Sequence, residues 1–265
     1  MHWCRFQDGA GAAYGVVDGG TVRAMTGSPF DGGEAVAAGM AGDESRPLAD
    51  VKLLIPCVPP TFYAAGANYR AHLAWAAQAL GGSGAAPPRA DIGYRAVNSL
   101  IAHDEAIIIP RDATGPVQVE GELAAVIGRT AKGLTRENAL DCVLGYTIGN
   151  DVSERTWQRG DRTLWRAKNT DTFNPMGPWV TPGLDPEALT VITRINGEEA
   201  SRYSTGDAIY SLVDFLVETT KYVTLYVGDV MWLGCDGATP DIVPGDVVEI
   251  EIPGIGTLRN PVEGE

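Results

Sequence analysis

Two glutamates stand two residues apart in the segment Val117–Leu123, which reads VQVEGEL and is predicted to be a strand. Because successive side chains of a strand point to opposite faces, Glu120 and Glu122 are expected on the same face. Gly121 then faces the other side, where it permits close backbone packing. Two adjacent carboxylates repel each other unless a positive charge lies between them or one is protonated. Such a pair alone is more often a solvated strand face than a site.

A third carboxylate, Asp151, follows a second apolar segment. Residues Val143–Ile148 are predicted to form a buried strand ending at Gly149-Asn150, and functional side chains are common just beyond such strands. Three carboxylates without a Cys or His ligand would make an all-oxygen site, which favours Mg²⁺, Mn²⁺ or Ca²⁺ over Zn²⁺. Three ligands leave about three octahedral positions for water and substrate.

The elements that must hold these residues are mostly strands, because 33 glycines and 17 prolines predict many turns. Strands are predicted at Trp3–Gln7, Ala13–Val17, Thr21–Met25, 61–66, Ala106–Ile109, Val117–Ile127, Val143–Ile148, Thr190–Ile195, Glu198–Tyr203 and Val247–Ile252, with a short one near Leu258. The turns Asp18-Gly19-Gly20 and Asn196-Gly197 indicate two hairpins.

Three helices are predicted. Arg70–Leu80 is rich in Ala and Leu, Thr135 is typical of the N-cap of a short helix through Asp141, and Ile209–Thr220 has apolar residues at helical spacing. Gly81–Pro88 is expected to be a mobile loop. A helix followed by such a loop could form a lid over a site, although an ordinary surface loop has the same composition.

The composition limits the classes of function. Hydrophobic residues make up 45% and charged residues 20% of the 265 residues, which is ordinary for a globular chain. The net charge of −14 disfavours nucleic acid and anionic membranes as partners, and no run of 18 apolar residues could span a membrane. The four widely spaced cysteines predict neither a zinc knot nor a disulfide framework. Without a signal peptide pattern, the expected location is cytoplasmic.

Two short motifs are set aside. The segment GAGAAYG at 9–15 resembles a dinucleotide-binding fingerprint, but its spacing is wrong and a hairpin pattern follows it. The tripeptide Arg159-Gly160-Asp161 matches an adhesion motif by coincidence, because nothing indicates secretion.

Five segments resemble the successive blocks of the fumarylacetoacetate hydrolase family, in the family's order. They are AGANYRAH at 65–72, VEGELAAVIG at 119–128, GYTIGNDVSER at 145–155, AKNTDTF at 167–173 and MGPW at 176–179. One segment would be weak evidence, whereas five in order are specific. The resemblance covers residues about 60–260 and is to bacterial acylpyruvate hydrolase and 2-hydroxyhepta-2,4-diene-1,7-dioate isomerase members.

This resemblance implies a mainly β fold with short helices, a rolled mixed β-sandwich of the family type with a small N-terminal domain. The expected divisions are a small β domain at 1–50, a linker at 51–60 and a catalytic domain at 61–265. The family is usually dimeric, so a homodimer is expected. The apolar, aromatic-rich segment Tyr222–Trp232 is a candidate for the contact, or for core.

The resemblance also implies roles for individual residues. Glu120, Glu122 and Asp151 match the family's metal carboxylates, so Mg²⁺ or Mn²⁺ is the expected cofactor. His72 matches the catalytic base on the lid segment, and Lys168 matches the lysine beside the metal. Gln158 matches a substrate-contacting glutamine of the family, and Cys235, Arg70 and Trp75 are further expected substrate contacts.

Two positions depart from the family pattern. The family often has Glu three residues after the catalytic His, where this chain has Trp75, and its substrate loop has Thr where this chain has Cys235. Trp75 is expected on the same helix face as His72 but cannot accept a proton. Asp236 is a candidate replacement for the missing acid. Both departures bear on hydrolysis rather than on metal binding.

Together these features predict a divalent-metal-dependent hydrolase that cleaves a C–C bond of an acylpyruvate-like 2-oxo acid. The metal would stabilise an enolate as a Lewis acid, Lys168 would add positive charge, and His72 would take a proton. An isomerase, decarboxylase or tautomerase of a small unsaturated 2-oxo acid would use the same enolate without an activated water. A non-catalytic binding protein is the third alternative.

Overall fold

A computed structural model describes residues 1–31, 41–81, 83–237 and 239–265. Within these ranges the fold is mostly β, as predicted, with nineteen strands and three α-helices. The strands form a twelve-stranded sheet, a five-stranded sheet and a two-stranded ribbon. No helix among the described residues is long and apolar enough to cross a membrane.

The N-terminal strands form an antiparallel meander. They are β1 (His2–Asp8), β2 (Gly11–Asp18), β3 (Thr21–Met25) and β4 (Ala41–Pro47). Gly19 and Gly20, between β2 and β3, have φ of +55° and +85°. A two-residue turn with positive φ at both positions matches the twist of the paired strands. The predicted hairpin is confirmed.

The meander joins the large sheet because β1 pairs with β14 (Asn174–Thr181) through Trp3 and Val180. The other strands of this sheet are β5 (Leu53–Leu54), β6 (Phe62–Ala65), β7 (Ile92–Tyr94), β8 (Leu100–Ile101), β11 (Gly121–Ile127), β12 (Val143–Asn150) and β17 (Val230–Trp232). Their order is β4-β3-β2-β1-β14-β12-β11-β17-β6-β7, with β5 beside β1 and β8 beside β14. The expected linker at 51–60 therefore contains a strand.

The five-stranded sheet packs against the large one. It contains β9 (Ile107–Ile109), β15 (Thr190–Ile195), β16 (Glu198–Ser204), β18 (Val247–Ile252) and β19 (Gly256–Gly264), in the order β16-β15-β18-β19-β9. The ribbon pairs β10 (Val117–Gln118) with β13 (Ser153–Glu154). A Cβ added at Gly121 would lie 2.7 Å from Thr193 Oγ1 and 2.9 Å from Ile250 Cγ2. Gly121 therefore allows the two sheets to approach, as predicted.

The strand predicted over Val117–Ile127 is wrong as a single element, because β10 and β11 are separated by two residues. At this break the backbone N–H of Val119 donates to Thr239 Oγ1, and that hydroxyl donates to the carbonyl oxygen of Val119, each over 3.1 Å. The Thr239 hydroxyl thus satisfies the backbone groups of Val119 that a continuous strand would pair with a neighbouring strand. The sequence pattern also does not predict β7, β14 or β17.

Helix α1 (Arg70–Leu80) agrees with the prediction and ends at Gly81, whose φ of +77° suits a helix C-terminus. Helix α2 (Arg155–Gly160) is not predicted from the sequence. Helix α3 (Leu212–Tyr222) begins later than predicted, because Ser211 and Asp214 form a capping box at its N-terminus. The loop expected at Gly81–Pro88 includes Gly82, which lies outside the described residues.

The helix predicted from Thr135 to Asp141 is wrong. The backbone N–H of Thr135 donates to Asn138 Oδ1 over 2.8 Å, so Thr135 is held in a turn instead of capping a helix. A short 3₁₀ helix, Ala139–Cys142, follows that turn.

Candidate active site

Three buried carboxylates converge beside the paired strands β11 and β12. Glu120 precedes β11, Glu122 lies on it, and Asp151 follows β12 directly. Gly121 pairs with Asn150 in the antiparallel register, which places Asp151 beside the glutamates. Each carboxylate residue is 2% exposed, and an oxygen from each lies within 4.8 Å of the other two. The predicted convergence of the three side chains therefore exists in the fold.

Three buried cations balance two of these carboxylates. Lys168 Nζ lies 2.7 Å from Glu120 Oε2 and 2.7 Å from Asp151 Oδ2. Arg95 donates from Nη2 and Nε to the two oxygens of Asp151, over 2.8 and 3.1 Å. Arg155 Nη2 lies 2.7 Å from Glu120 Oε1. Such pairs keep buried carboxylates ionised.

Glu122 lacks a cationic partner among the described residues. Its Oε2 accepts a hydrogen bond from the backbone N–H of Gly234 over 2.8 Å. Burial, followed by the negative charges of Asp151 and Glu120, raises the pKa of Glu122 to about 8. Burial would also raise the pKa of Glu120, but the positive charges of Lys168 and Arg155 together hold that pKa below its ordinary value. Burial acts on Asp151 in the same direction, but Arg95 and Lys168 together lower its pKa.

This donor set fits a hard divalent cation. All three donors are oxygens at mutually short distances, as Mg²⁺ and Mn²⁺ prefer. A cation among them would supply the positive charge that Glu122 lacks. The carboxylates present therefore fit the metal that the family resemblance implies.

His72 lies in the first turn of α1, opposite the loop that follows β17. Its Nδ1 is 3.2 Å from the carbonyl oxygen of Cys235 and 3.6 Å from Cys235 Sγ. A proton on Nδ1 donated to that carbonyl leaves Nε2 as the nitrogen that can accept another. No carboxylate hydrogen-bonds this ring among the described residues. Asp236 instead lines a surface depression with Arg70 and Asp207.

Trp75 links His72 to the carboxylates. Its ring packs edge-on against the imidazole, with centroids 5.5 Å apart, so the predicted shared helix face is confirmed. The guanidinium of Arg155 lies over the Trp75 ring, 4.7 Å from its centroid. The same guanidinium donates to Gln158 Oε1 over 2.8 Å. Trp75 therefore supports both the His72 ring and the guanidinium of Arg155, which pairs with Glu120.

A cavity of about 150 Å³ connects these groups. Seven of the nine predicted site residues line it: His72, Glu120, Glu122, Asp151, Gln158, Lys168 and Cys235. Trp75 packs against the cavity-lining His72, whereas Arg70 is exposed and lines the separate depression with Asp236. The substrate-contact roles of both residues remain predictions.

The sequence pattern does not predict the two arginines that hold the carboxylates. Arg155 lies within the segment GYTIGNDVSER, four residues after Asp151, so a buried partner for a carboxylate could have been sought there. Arg95 stands 56 residues before Asp151 and follows the unpredicted strand β7. Only the order of strands in the sheet brings Arg95 to the site.

Family models agree with this architecture. Residues 61–263 match the model described as fumarylacetoacetate (FAA) hydrolase C-terminal, and residues 1–56 match the model Rv2993c-like, N-terminal. The chain therefore belongs to the fumarylacetoacetate hydrolase family.

Curated relatives include several enzymes. Protein Rv2993c of Mycobacterium tuberculosis is 40% identical over 82% of this chain and 81% of its own length. The oxaloacetate tautomerase YisK of Bacillus subtilis is 33% identical over 81% of this chain and 74% of its own. The 2,4-didehydro-3-deoxy-L-rhamnonate hydrolase of a Sphingomonas species is 32% identical over 99% of this chain and 96% of its own.

Solved structures share the fold. The 2-hydroxyhepta-2,4-diene-1,7-dioate isomerase of Mycobacterium marinum superposes with a TM-score of 0.87 at 33% identity, covering 100% of this chain and 99% of its own. The maleylpyruvate hydrolase of Sphingobium sp. SYK-6, solved with manganese(II) and pyruvate, superposes with a TM-score of 0.80 at 25% identity. The match covers 100% of this chain and 99% of that one. The family thus contains hydrolases, isomerases and tautomerases.

Proposed function

We propose that this chain is an Mg²⁺- or Mn²⁺-dependent hydrolase that cleaves a C–C bond in a small acylpyruvate-like 2-oxo acid. The observation that carries the proposal is the lining of one cavity by the three carboxylates, Lys168 and His72. Manganese and pyruvate in the related maleylpyruvate hydrolase agree with this choice of ion and substrate class. At about 150 Å³ the cavity is smaller than typical ligand pockets, which favours a small acid.

When bound, the divalent cation would act as a Lewis acid towards the acid and keto oxygens of the substrate and stabilise enolate charge. Lys168 holds Glu120 and Asp151 in place and adds positive charge beside the same cavity. Arg95 pairs with Asp151 and Arg155 pairs with Glu120, which keeps these carboxylates ionised and oriented. Burial of the whole set excludes bulk water, which strengthens each of these interactions.

His72 is proposed as the general base. With its Nδ1–H donated to the carbonyl of Cys235, Nε2 takes a proton from water as that water attacks the acyl carbon. The bond between the acyl carbon and C3 breaks, and its electron pair forms the enolate. Returning the proton from His72 to C3 gives the 2-oxo acid, while the acyl fragment leaves as a carboxylic acid.

A second candidate is an isomerase, decarboxylase or tautomerase acting on the same class of acid. The observation that favours it is the environment of His72, which packs against Trp75 and, among the described residues, forms no hydrogen bond with a carboxylate. Moving a proton between carbon and oxygen of a 2-oxo acid needs a base but no activated water. A non-catalytic binding role is opposed by the convergence of base, lysine and carboxylates on one cavity.

The two reactions separate in an assay of acylpyruvates and oxaloacetate with Mn²⁺. Wild type should hydrolyse acylpyruvates, and His72→Gln should not. Trp165→Glu is the matched surface control and should stay active, because Trp165 is 66% exposed. The second candidate would be established instead by two results together. Wild type would be inactive on acylpyruvates but tautomerise or decarboxylate oxaloacetate, and Trp75→Glu would gain hydrolysis of acylpyruvates.

We also propose that the chain forms a homodimer, as is usual in the family. Part of the segment expected at the contact is core, because β17 is fully buried. Tyr222 and Tyr226, at the start of that segment, are 68% and 55% exposed. Large exposed aromatic side chains are typical of interfaces.

A further inference from the structure

A second cluster of potential metal ligands lies beside the three carboxylates. It consists of His72 on α1, Glu120 before β11 and Cys235 in the loop after β17, with one ligand atom from each within 4.8 Å of the others. An imidazole and a thiol are softer donors than carboxylates. Such a mixed set favours Zn²⁺ or Co²⁺ over Mg²⁺.

The spacing of sulfur and nitrogen suits a tetrahedral ion. Cys235 Sγ lies 3.6 Å from His72 Nδ1. Zinc bonds of about 2.3 Å to sulfur and about 2.0–2.1 Å to nitrogen, at a tetrahedral angle, place the two atoms about 3.6 Å apart. The two side chains can therefore share one zinc ion without a change in their separation.

We propose that His72, Cys235 and Glu120 form a binding site for Zn²⁺ that overlaps the three-carboxylate site at Glu120 and inhibits the enzyme when filled. On binding, the thiol of Cys235 releases its proton to solvent, and its sulfur bonds to zinc as a thiolate. His72 binds through Nδ1 and carries the ring proton on Nε2, and Glu120 supplies one oxygen. No group is oxidised or reduced.

Inhibition follows from the identity of the ligands. Zinc at this site removes His72 from its role as base, and it draws on Glu120, which both clusters share. The inhibitory effect rests on the proposed function, but the binding itself does not. The site would make the enzyme sensitive to thiophilic metal ions even when Mg²⁺ is abundant.

The other cysteines provide matched controls. Cys4, Cys57 and Cys142 are also free and buried. None of them belongs to a cluster of three possible ligands among the described residues. Cys142→Ala is therefore a suitable control for Cys235→Ser.

Cobalt reports on the sulfur bond directly. Co²⁺ is titrated into the full-length protein in excess Mg²⁺, and the thiolate-to-cobalt charge-transfer absorption is recorded in the near ultraviolet. We expect this band in wild type and Cys142→Ala, and its loss in Cys235→Ser. Its absence from wild type, or an equal band in Cys235→Ser, would overturn the proposal.

Anomalous diffraction at the zinc edge, from wild-type crystals soaked in Zn²⁺, tests the site without relying on a variant that must fold. An anomalous peak between His72 and Cys235 supports the site, and a peak among the three carboxylates alone overturns it. In assays with excess Mg²⁺, the zinc concentration for half inhibition should rise at least about tenfold in Cys235→Ser. Loss of a residue that only hydrogen-bonds to a metal ligand already lowers metal affinity by about that factor, and Cys235 is a proposed ligand itself. An unchanged concentration for half inhibition overturns the inhibitory role.

The zinc site and the proposed function can fail separately. A cobalt band in a protein that is inactive on every 2-oxo acid would refute the proposed function but still support the zinc site.

Discussion

Arg95 donates to both carboxylate oxygens of Asp151, over 2.8 and 3.1 Å, although 56 residues separate the two in the chain. The pair is buried, with side-chain exposures of 7% and 3%. A bidentate guanidinium fixes the plane of the carboxylate as well as its position. Arg95 thereby orients a proposed metal ligand, and it lines the same cavity without being a metal ligand itself.

Replacing this guanidinium with an ammonium should weaken metal binding. Arg95→Lys keeps the charge but cannot bind both oxygens in one plane, so Mn²⁺ affinity should fall about ten- to a hundredfold. Calorimetric titration measures this, with Arg89→Lys as the control, because Arg89 is exposed and lies 3.9 Å from its partner Glu218. Unchanged affinity in Arg95→Lys would show that orientation of Asp151 is not needed.

Lys168 should matter more for turnover than for metal binding. In Lys168→Met the proposed cation still has its three carboxylates, but the positive charge that strengthens transition-state binding is gone. We expect kcat to fall on the order of a hundredfold or more with Mn²⁺ affinity retained. The exposed Lys52→Met is the matched control, since Lys52 pairs with Glu105 at the surface. Full turnover in Lys168→Met would remove this lysine from the mechanism.

The metal-free protein should lose stability as the pH rises from about 4.5 to about 8. Burial and the charges of Asp151 and Glu120 raise the pKa of Glu122 from 4.5 to about 8. In that window the folded protein binds more protons than the unfolded chain. The free energy of unfolding therefore falls with rising pH, by at most about 1.4 kcal/mol per pH unit.

Thermal unfolding of metal-free wild type and Glu122→Gln tests this sign. The amide can still accept the hydrogen bond from Gly234 but cannot ionise, so the variant should have the flatter pH profile and the higher Tm near pH 8. Saturating Mn²⁺ should flatten the wild-type profile, because the ion favours the carboxylate. Parallel profiles for wild type and variant would contradict the charge imbalance at Glu122.

The proposed homodimer should appear in light scattering at micromolar concentration as two chains of 28.0 kDa each. Introducing charge at Tyr222 and Tyr226 together, as lysines, should shift the mass towards one chain, since both side chains are exposed. Trp165→Lys, which changes an exposed aromatic residue elsewhere, should leave the mass unchanged. A wild-type monomer would refute the dimer.

The sequence predicts the site to the extent that local geometry determines it. The two-residue period placed Glu120 and Glu122 on one face even though the strand is broken before Gly121. The three-residue spacing placed Trp75 beside His72. What it could not predict depends on contacts between distant segments, such as Thr239 capping the break at Val119 and Arg155 stacking on Trp75.

The central claim, that Glu120, Glu122 and Asp151 together bind one divalent cation, is tested most directly by calorimetric titration of Mn²⁺ into metal-free protein. Wild type and the control Glu198→Gln, whose side chain is exposed, should bind one ion per chain with equal affinity. Glu122→Gln, which keeps the hydrogen-bonding shape of the site, and Asp151→Ala should both lose most of that binding. Equal binding of Mn²⁺ by wild type and these two variants would contradict the assignment of the metal site.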